Sequence, residues 1–575
     1  MNMSKYRNNS SGVSRIIVAA LTVCLSSFAP KCAGDTLRTV ALTGTPIPGM
    51  SPGVTFRRFD PPVLNNAGQT AFTADLQFGS GGVDENNDRG LWSEGHGALA
   101  LVARKGGFAP GTPEAKFDRV YYPVLNNAGQ TIFYSTLQQG SGDVVPNNSY
   151  GVWSEGSGLL QLVARAGNQA PSAPEGATFD YIDEPHFLVL NTAGATALDA
   201  SMQVGKGGVT ADTNIGIWIG RTDSLELAVR GGDQPPGAPA GAKFDDFSNV
   251  VLNDVGEYAF RGVFNPVDAV TRFDRQGGIW AYRDGLLQLI AHKGERAPDT
   301  PNGSFFRSFG PPAFNDAAQV AFTAELVNEN GVVEYPDHVG IWAEHNGSLR
   351  LVARSGSQAP GTPDGVSFND FNTSDSPEVT MDGAGNIAFF GYLRGESVNA
   401  GNETGIWSEA RSGDLELVVR AGDPAPGAPA GAKFRSVGGP RLNATGQIAF
   451  VGQLQSGAGG VSLASDLGIW AQDRDGVLQM IVREGDLVDV DDGPGTDFRT
   501  VTGFSLFYPW RGTGNQDGRP SAFNDLGQLA FLASFTDRSS GIFVSSLAAI
   551  PEPASVVLAA MTLVGLFHRP RRSRC

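Results

Sequence analysis

One motif, Asn-x-x-Gly-x-x-Ala-Phe, recurs eight times and restricts the fold more than any other feature of this chain. The copies begin at Asn65, Asn126, Asn191, Asn253, Asn315, Asp382, Asn443 and Asn524, with Ala318 replacing the Gly in the fifth and Asp382 the Asn in the sixth. Each is followed by a Gly-Ile-Trp-like element carrying Trp92, Trp153, Trp218, Trp280, Trp342, Trp407 or Trp470, with Phe543 in the eighth. From the Asn to this aromatic the spacing is 27 residues in six copies, 25 in the sixth and 19 in the last. The intervening sequences differ widely at nearly constant length, so the flanking segments are neighbours in a rigid frame. Twelve or thirteen residues beyond each Trp stands Arg104, Arg165, Arg230, His292, Arg354, Arg420 or Arg483, closing a run like Leu-x-Leu-Val-Ala-Arg. A Pro follows six residues later in most copies, and a Phe such as Phe117, Phe244 or Phe434 opens the next unit.

Each unit reads as four short strands with apolar and polar positions alternating. Asn-x-x-Gly between the first two is turn chemistry: Asn bonds its own backbone, and Gly accepts positive φ at the exit. The 76 Gly and 35 Pro, beside 41% apolar residues, suit many short strands joined by turns. A four-stranded meander of about 62 residues cannot bury both faces alone and must stack on its own copies. Stacking around an axis predicts an all-β, eight-bladed β-propeller spanning 36–547. The eighth unit ends near Phe543 with no Leu-Val-Ala-Arg strand, whereas 37–49 matches that strand and its following Pro-Gly. The N-terminal segment is therefore expected to complete the last blade and leave no open sheet edge. A β-solenoid or tandem β-sandwiches are the alternative architectures.

The ends are addresses. Residues 1–33 carry a basic stretch followed by about a dozen apolar residues, the pattern of a secretory signal peptide cut near Ala33. The segment 548–575 orders Pro551, Glu552 and Pro553, an apolar run over 554–567, and a basic tail with Arg569, Arg571, Arg572 and Arg574. Fourteen apolar residues are short for a bilayer span, and the arginines act as a cytoplasmic stop. These three parts in order resemble the PEP-CTERM sorting signal of exported bacterial proteins. That resemblance implies handling by an exosortase-like sorting transpeptidase, transient membrane anchoring, and residence at the cell surface or in an extracellular matrix with polysaccharide or surface proteins as partners. The repeats themselves resemble a bacterial family of tandem Asn-x-x-Gly-x-x-Ala-Phe motifs joined to interchangeable anchoring tails, a resemblance that implies architecture and address but no catalytic residue.

Composition narrows the chemistry. A net charge of −17, more negative still once the basic end segments are removed, repels phosphate backbones and argues against nucleic acid. The three cysteines, Cys24, Cys32 and Cys575, all lie in the end segments, so the repeats hold neither a disulfide framework nor a Cys zinc site. No Walker loop, Gly-x-Ser-x-Gly, His-Glu-x-x-His or dinucleotide fingerprint occurs. The Trp series reads as packing between blades and the Arg series as strand closure by local hydrogen bonds. Asp489, Asp491, Asp492 and Asp497 form the one candidate cation site, for calcium, without EF-hand spacing. The stretch 500–521, containing Trp510, interrupts the eighth unit as an insertion that either carries a specialised function or is a tolerated loop. The expected role is a non-enzymatic surface or matrix scaffold with a binding face built from the loops between second and third strands. A polysaccharide hydrolase or lyase using acids assembled across blades is the alternative.

Overall fold

The computed structural model describes residues 37–546 apart from 122, 183–187, 267–274, 301–302, 372–378, 494 and 507–515. These residues form eight antiparallel sheets repeating one order of strands. In the first blade the order is Phe56–Phe59 with Val63–Leu64, then Thr70–Leu76, Arg89–Ser93 and Ala100–Arg104. The first strand is innermost: Val63–Leu64, Val124–Leu125, Val189–Leu190 and their counterparts meet one another around the ring. The expected propeller is the observed one. Its closure is also as expected, with Leu37–Leu42 antiparallel to Ser540–Ser545, Leu37 opposite Ser545 and Leu42 opposite Gly541. Closure pairs the outer edge of Ser540–Ser545, which would otherwise be an open template for another strand.

The expected single first strand differs in detail. In most blades it is two pieces separated by a break, as at 60–62 in the first blade, and only in the fourth does it run unbroken over Lys243–Leu252. The insertion in the eighth blade is correspondingly shorter than 500–521, because Phe498–Ser505 is itself the innermost strand and pairs with Ala530–Phe535. Along the chain the additional residues, 506–521, fall between Ser505 and Ala522, where the inner strand breaks in the other blades; 507–515, with Trp510, lie outside the described residues.

Seven of the blades carry the same Phe–Trp contact. The Phe that opens the unit meets the Trp edge-on, as in Phe56–Trp92 and Phe117–Trp153 at 5.0 Å between ring centroids. The Phe of Ala-Phe stacks along the same ring, at 6.0 Å for Phe260–Trp280. Such pairs add roughly 0.5–1.5 kcal/mol beyond the area they bury. The Trp ring lies back over the Gly two residues before it. A Cβ at Gly340 would sit 2.5 Å from Trp342, which is why Gly precedes this aromatic by two in every blade.

The motif Asn does more than form its turn. In the first blade Asn65 Oδ1 accepts from Ala67 N and Gln69 N, while its Nδ2 donates to Gln69 Oε1 at 2.9 Å and to the carbonyl of Asn126 in the next blade at 3.0 Å. The same interblade bond runs Asn126 to Asn191, Asn191 to Asn253, Asn253 to Asn315, Asn315 to Asp382, Asn443 to Asn524 and Asn524 back to Asn65, at 2.8–3.2 Å. A carboxylate cannot donate, so the circle changes at Asp382. There Asn386 donates to Asp382 Oδ2 at 3.0 Å, and Gly383 N donates to the Ala444 carbonyl. Burial holds the Asp382 carboxyl above the ordinary aspartate range. Restoring the donor together with its usual Gln partner, Asp382→Asn/Asn386→Gln, is expected to stabilise the ring by about 1 kcal/mol. Chemical denaturation of both single variants and the double variant checks it, the double gaining more than the two singles combined.

Candidate functional site

The two side-chain series that first suggest ligand binding are occupied in the frame. All seven Trp side chains are buried. Six donate from Nε1 to the carbonyl of the proline that follows the preceding blade's last strand, as Trp153 does to Pro110 and Trp470 to Pro426. Trp92 differs, its Nε1 being buried without a hydrogen-bond partner. Five of the six arginines cap the loops between second and third strands, and the sixth, Arg483, pairs with Asp486 instead. Arg104 Nε donates to the Asn87 carbonyl at 2.6 Å, Arg165 to Asn148 at 2.8 Å and Arg420 to Asn402 at 2.7 Å. Arg165 also pairs with Asp143 at 2.9 Å. His292, at the corresponding position, instead bonds through Nδ1 to the carbonyl of the next residue, Lys293. Both series read from the sequence as structural are structural.

Residues 516–521, the last of the insertion, sit at the axis of the ring. Inner strands expose backbone N–H groups toward the axis, and such groups need acceptors when buried. Leu64 N donates to the Ser521 carbonyl at 2.7 Å, Leu190 N to Gly518 at 2.8 Å and Leu252 N to Asp517 at 3.0 Å. Arg519 reaches the Pro312 carbonyl and pairs with Asp517 at 3.0 Å, the Asp517 side chain being fully buried. Residues 516–521 thus touch the first, third, fourth and fifth blades at once. The residues after the motif Asn form a second circle around this plug. Asp254 accepts from Thr192 N, Asp316 from Asp254 N, and Asp525 from Ala444 N, while Asp316 N donates to Gln516 Oε1. Burial, with Asp254, Asp517 and Asp525 nearby, pushes the Asp316 carboxyl up, and burial pushes Asp525 up as well. Sequence reasoning missed this convergence, because the acids come from units far apart along the chain.

The proposed calcium residues are spread over other duties. Asp492 accepts from Thr39 N at 3.0 Å and so helps fasten the closing strand. Asp497 pairs with Arg499 at 2.6 Å. Asp489 accepts from the backbone of Asp491 and Asp497, and Asp491 from Gly493 N. Among the described residues no group of three or more His, Cys, Asp or Glu side chains is arranged to hold a metal ion. Pro551, Glu552, Pro553, Arg571 and Arg572 lie outside the described residues, as does the signal segment.

Two clefts lie between neighbouring blades. One, of about 390 Å³, lies between the third and fourth blades and is lined by Tyr181, Asp199, Ser201, Asp246, Ser248, Asn249 and Arg261 among others. Asn249 sits at φ 61°, the left-handed region that costs a non-Gly residue about 1–2 kcal/mol, inside this unbroken inner strand. Its Oδ1 is buried with no hydrogen-bond partner. Burial raises the Asp246 carboxyl, with Asp245 adding to it against a backbone bond from Phe247. The other cleft, between the first and second blades, is wider and includes Glu85, Lys105, Asp118, Arg119 and Tyr121. The sequence placed the binding face at the loops between second and third strands, which reach only the wider cleft, through residues such as Glu85 and Gln138, and nothing in it singled out Asn249 or Asp246.

The sequence profile of a family of unknown function, DUF7453, matches residues 26–145, 139–379 and 270–557. The chain belongs to this family. No curated protein matches the sequence. Solved structures similar to this DUF7453 propeller include the β-propeller domain of the trilobed protease from Pyrococcus furiosus, 9% identical over 75% of this chain and 100% of that one, TM-score 0.34. Another is the acylaminoacyl peptidase of Pyrococcus horikoshii, 10% identical over 74% of this chain and 50% of that one, TM-score 0.36. A third is Trypanosoma rangeli sialidase, 10% identical over 71% of this chain and 59% of that one, TM-score 0.22.

Two measurements test the plug of this DUF7453 protein. Arg519→Met strands the Asp517 carboxylate at the axis and is expected to cost about 3–5 kcal/mol, whereas Asp517→Asn/Arg519→Met removes both charges and costs less. Equal losses in the two, measured by denaturant titration, would refute the pair's burial. The Asp316 carboxyl binds its proton more tightly folded than unfolded, so stability falls as pH rises from about 3.8 through the raised value. Asp316→Asn is therefore expected to raise Tm at pH 7 and leave it unchanged at pH 3, by thermal scans at both.

Proposed function

We propose that this chain is an exported, non-enzymatic surface or matrix protein whose propeller is a scaffold for binding. The observation that carries the reading is where the repeated side chains are spent. The Asn, Trp and Arg series hold blades and loops together, and residues 516–521 fill the axis. What varies from blade to blade is the face formed by the loops between second and third strands, and a partner would meet the ring there. The signal-like 1–33 and the sorting-like 548–575 support export, handling by an exosortase-like transpeptidase, and residence with extracellular polysaccharide or surface proteins. Cell fractionation tests the address. The full chain is expected with the cell surface or matrix, and a chain lacking 548–575 is expected to be released from it. Equal fractionation of both would refute the sorting role.

A polysaccharide-cleaving reading has one observation in its favour. The raised Asp246 carboxyl shares a cleft with Asp199, and a carboxyl that keeps its proton nearer neutral pH is suited to general-acid work. Turnover of a polysaccharide by the wild-type chain, abolished in Asp246→Asn, would replace the scaffold reading with this one.

A further inference from the structure

Four tyrosines join the two clefts. Tyr121 lines the cleft between the first and second blades, and Tyr181 the cleft between the third and fourth. Between them stand Tyr134 and Tyr150, giving ring-centroid separations of 5.7 Å for Tyr121–Tyr134, 5.9 Å for Tyr134–Tyr150 and 6.4 Å for Tyr150–Tyr181. Tyr181 is 45% exposed and the other three are half-buried. The Tyr150 hydroxyl donates to the Asp180 carbonyl of the next blade at 2.5 Å, which sets its ring across the blade junction.

The strip is a local departure from the repeat. Aligning the motifs places Asp60, Thr73 and Arg89 of the first blade where the second has Tyr121, Tyr134 and Tyr150. In the first blade these residues form a closed polar network. Arg89 pairs with Asp60 and with Asp75 at 2.9 Å, and Thr73 donates to Asp60 at 2.6 Å. The network satisfies itself without a ligand. Three tyrosines in the same places form no such network but meet ring against ring, and the next blade extends them with a fourth that is 45% exposed.

We infer that this strip, with the cleft at its Tyr181 end, binds an uncharged, hydroxyl-rich glycan chain lying across the second and third blades. The inference rests on the scaffold reading above and names the chemistry of its partner. Tyr offers a rigid apolar face with a polar tip, suited to the C–H face of a pyranose and to its hydroxyls. The cleft at the end of the strip is rich in acceptors: Asp199, Asp246, and the buried, unpartnered Oδ1 of Asn249. Acceptors call for a ligand with many O–H donors. A proline-rich peptide, the other common guest of aromatic grooves, brings carbonyl acceptors and no backbone N–H at its prolines, so it would leave Asn249 Oδ1 unsatisfied. A polyanionic glycan would approach a chain of net charge −17 and a cleft holding two carboxylates against Arg261. A neutral glycan meets neither objection.

The test is affinity electrophoresis and titration calorimetry on the exported full-length chain. The probes are cellohexaose, mannohexaose and dextran as neutral glycans, hexagalacturonate as an anionic one, and deca-proline as a peptide. At least one neutral probe is expected to bind, with Tyr181→Ala and Asn249→Gly each weakening it by about tenfold or more. Neither change should unfold the ring, since Tyr181 is exposed and Gly relieves the positive φ at 249. Tyr335→Ala, at a 74% exposed tyrosine in the fifth blade, should leave binding unchanged. Binding of no neutral probe, binding unaffected by Tyr181→Ala, or preference for hexagalacturonate or deca-proline overturns the inference. The scaffold reading is decided separately, by fractionation and by the absence of Asp246-dependent turnover.

Discussion

The donation from one motif asparagine to the carbonyl of the next is the interaction on which the ring depends. A propeller blade has two faces to bury and an inner edge whose polar groups point into a confined space. The apolar faces drive stacking without direction, because burial scales with area and is nearly indifferent to register. The Asn amide supplies the direction. With one group it accepts from its own turn, bonds the residue four positions on, and donates to the neighbouring blade. Each blade's turn geometry is thereby tied to the position of the next, and seven such ties, with a backbone link at the eighth junction, close the circle. The change at Asp382 illustrates the rule: once the donor is lost, Asn386 reverses its role and a backbone N–H carries the link.

Closure and the plug solve two separate problems left by that circle. The outer edge of the last sheet is paired by Leu37–Leu42, and Asp492 of the same blade accepts from Thr39 at the irregular part of that pairing. Inner-edge N–H groups of the first, third and fourth blades are paired by carbonyls of residues 517–521, which precede the last motif Asn of the eighth blade. The plug brings polar groups with it, among them the buried Asp517–Arg519 pair. Buried pairs of this kind confer little net stability but penalise any arrangement that separates them, so the plug favours one register of the insertion over others.

Uniformity in the frame makes departures from it informative. The Trp, Arg and Asn series are repeated because every junction needs them, and repetition of that sort says little about a partner. The stretch from Tyr121 to Tyr181 and the unbroken fourth-blade strand with Asn249 in the left-handed region are not demanded by any junction. Backbone strain and an unpartnered buried acceptor persist only where the surroundings compensate for them, and they gather at sites of function.

Much of the architecture was legible in the linear sequence. The recurrence of Asn-x-x-Gly-x-x-Ala-Phe and its fixed distance to Trp carried the number of blades and the four strands in each. The match of 37–49 to the missing last strand carried closure, because strand pairing and turn formation depend on patterns a few residues long. The tertiary structure alone decided what those residues do across the ring: Asn65 bonding Asn126, Trp153 bonding Pro110, residues 516–521 crossing the axis, and Tyr150 meeting Tyr181. These partners lie 30 to several hundred residues apart along the chain. Their meeting depends on the angle between blades, a property of packed surfaces that no local pattern encodes.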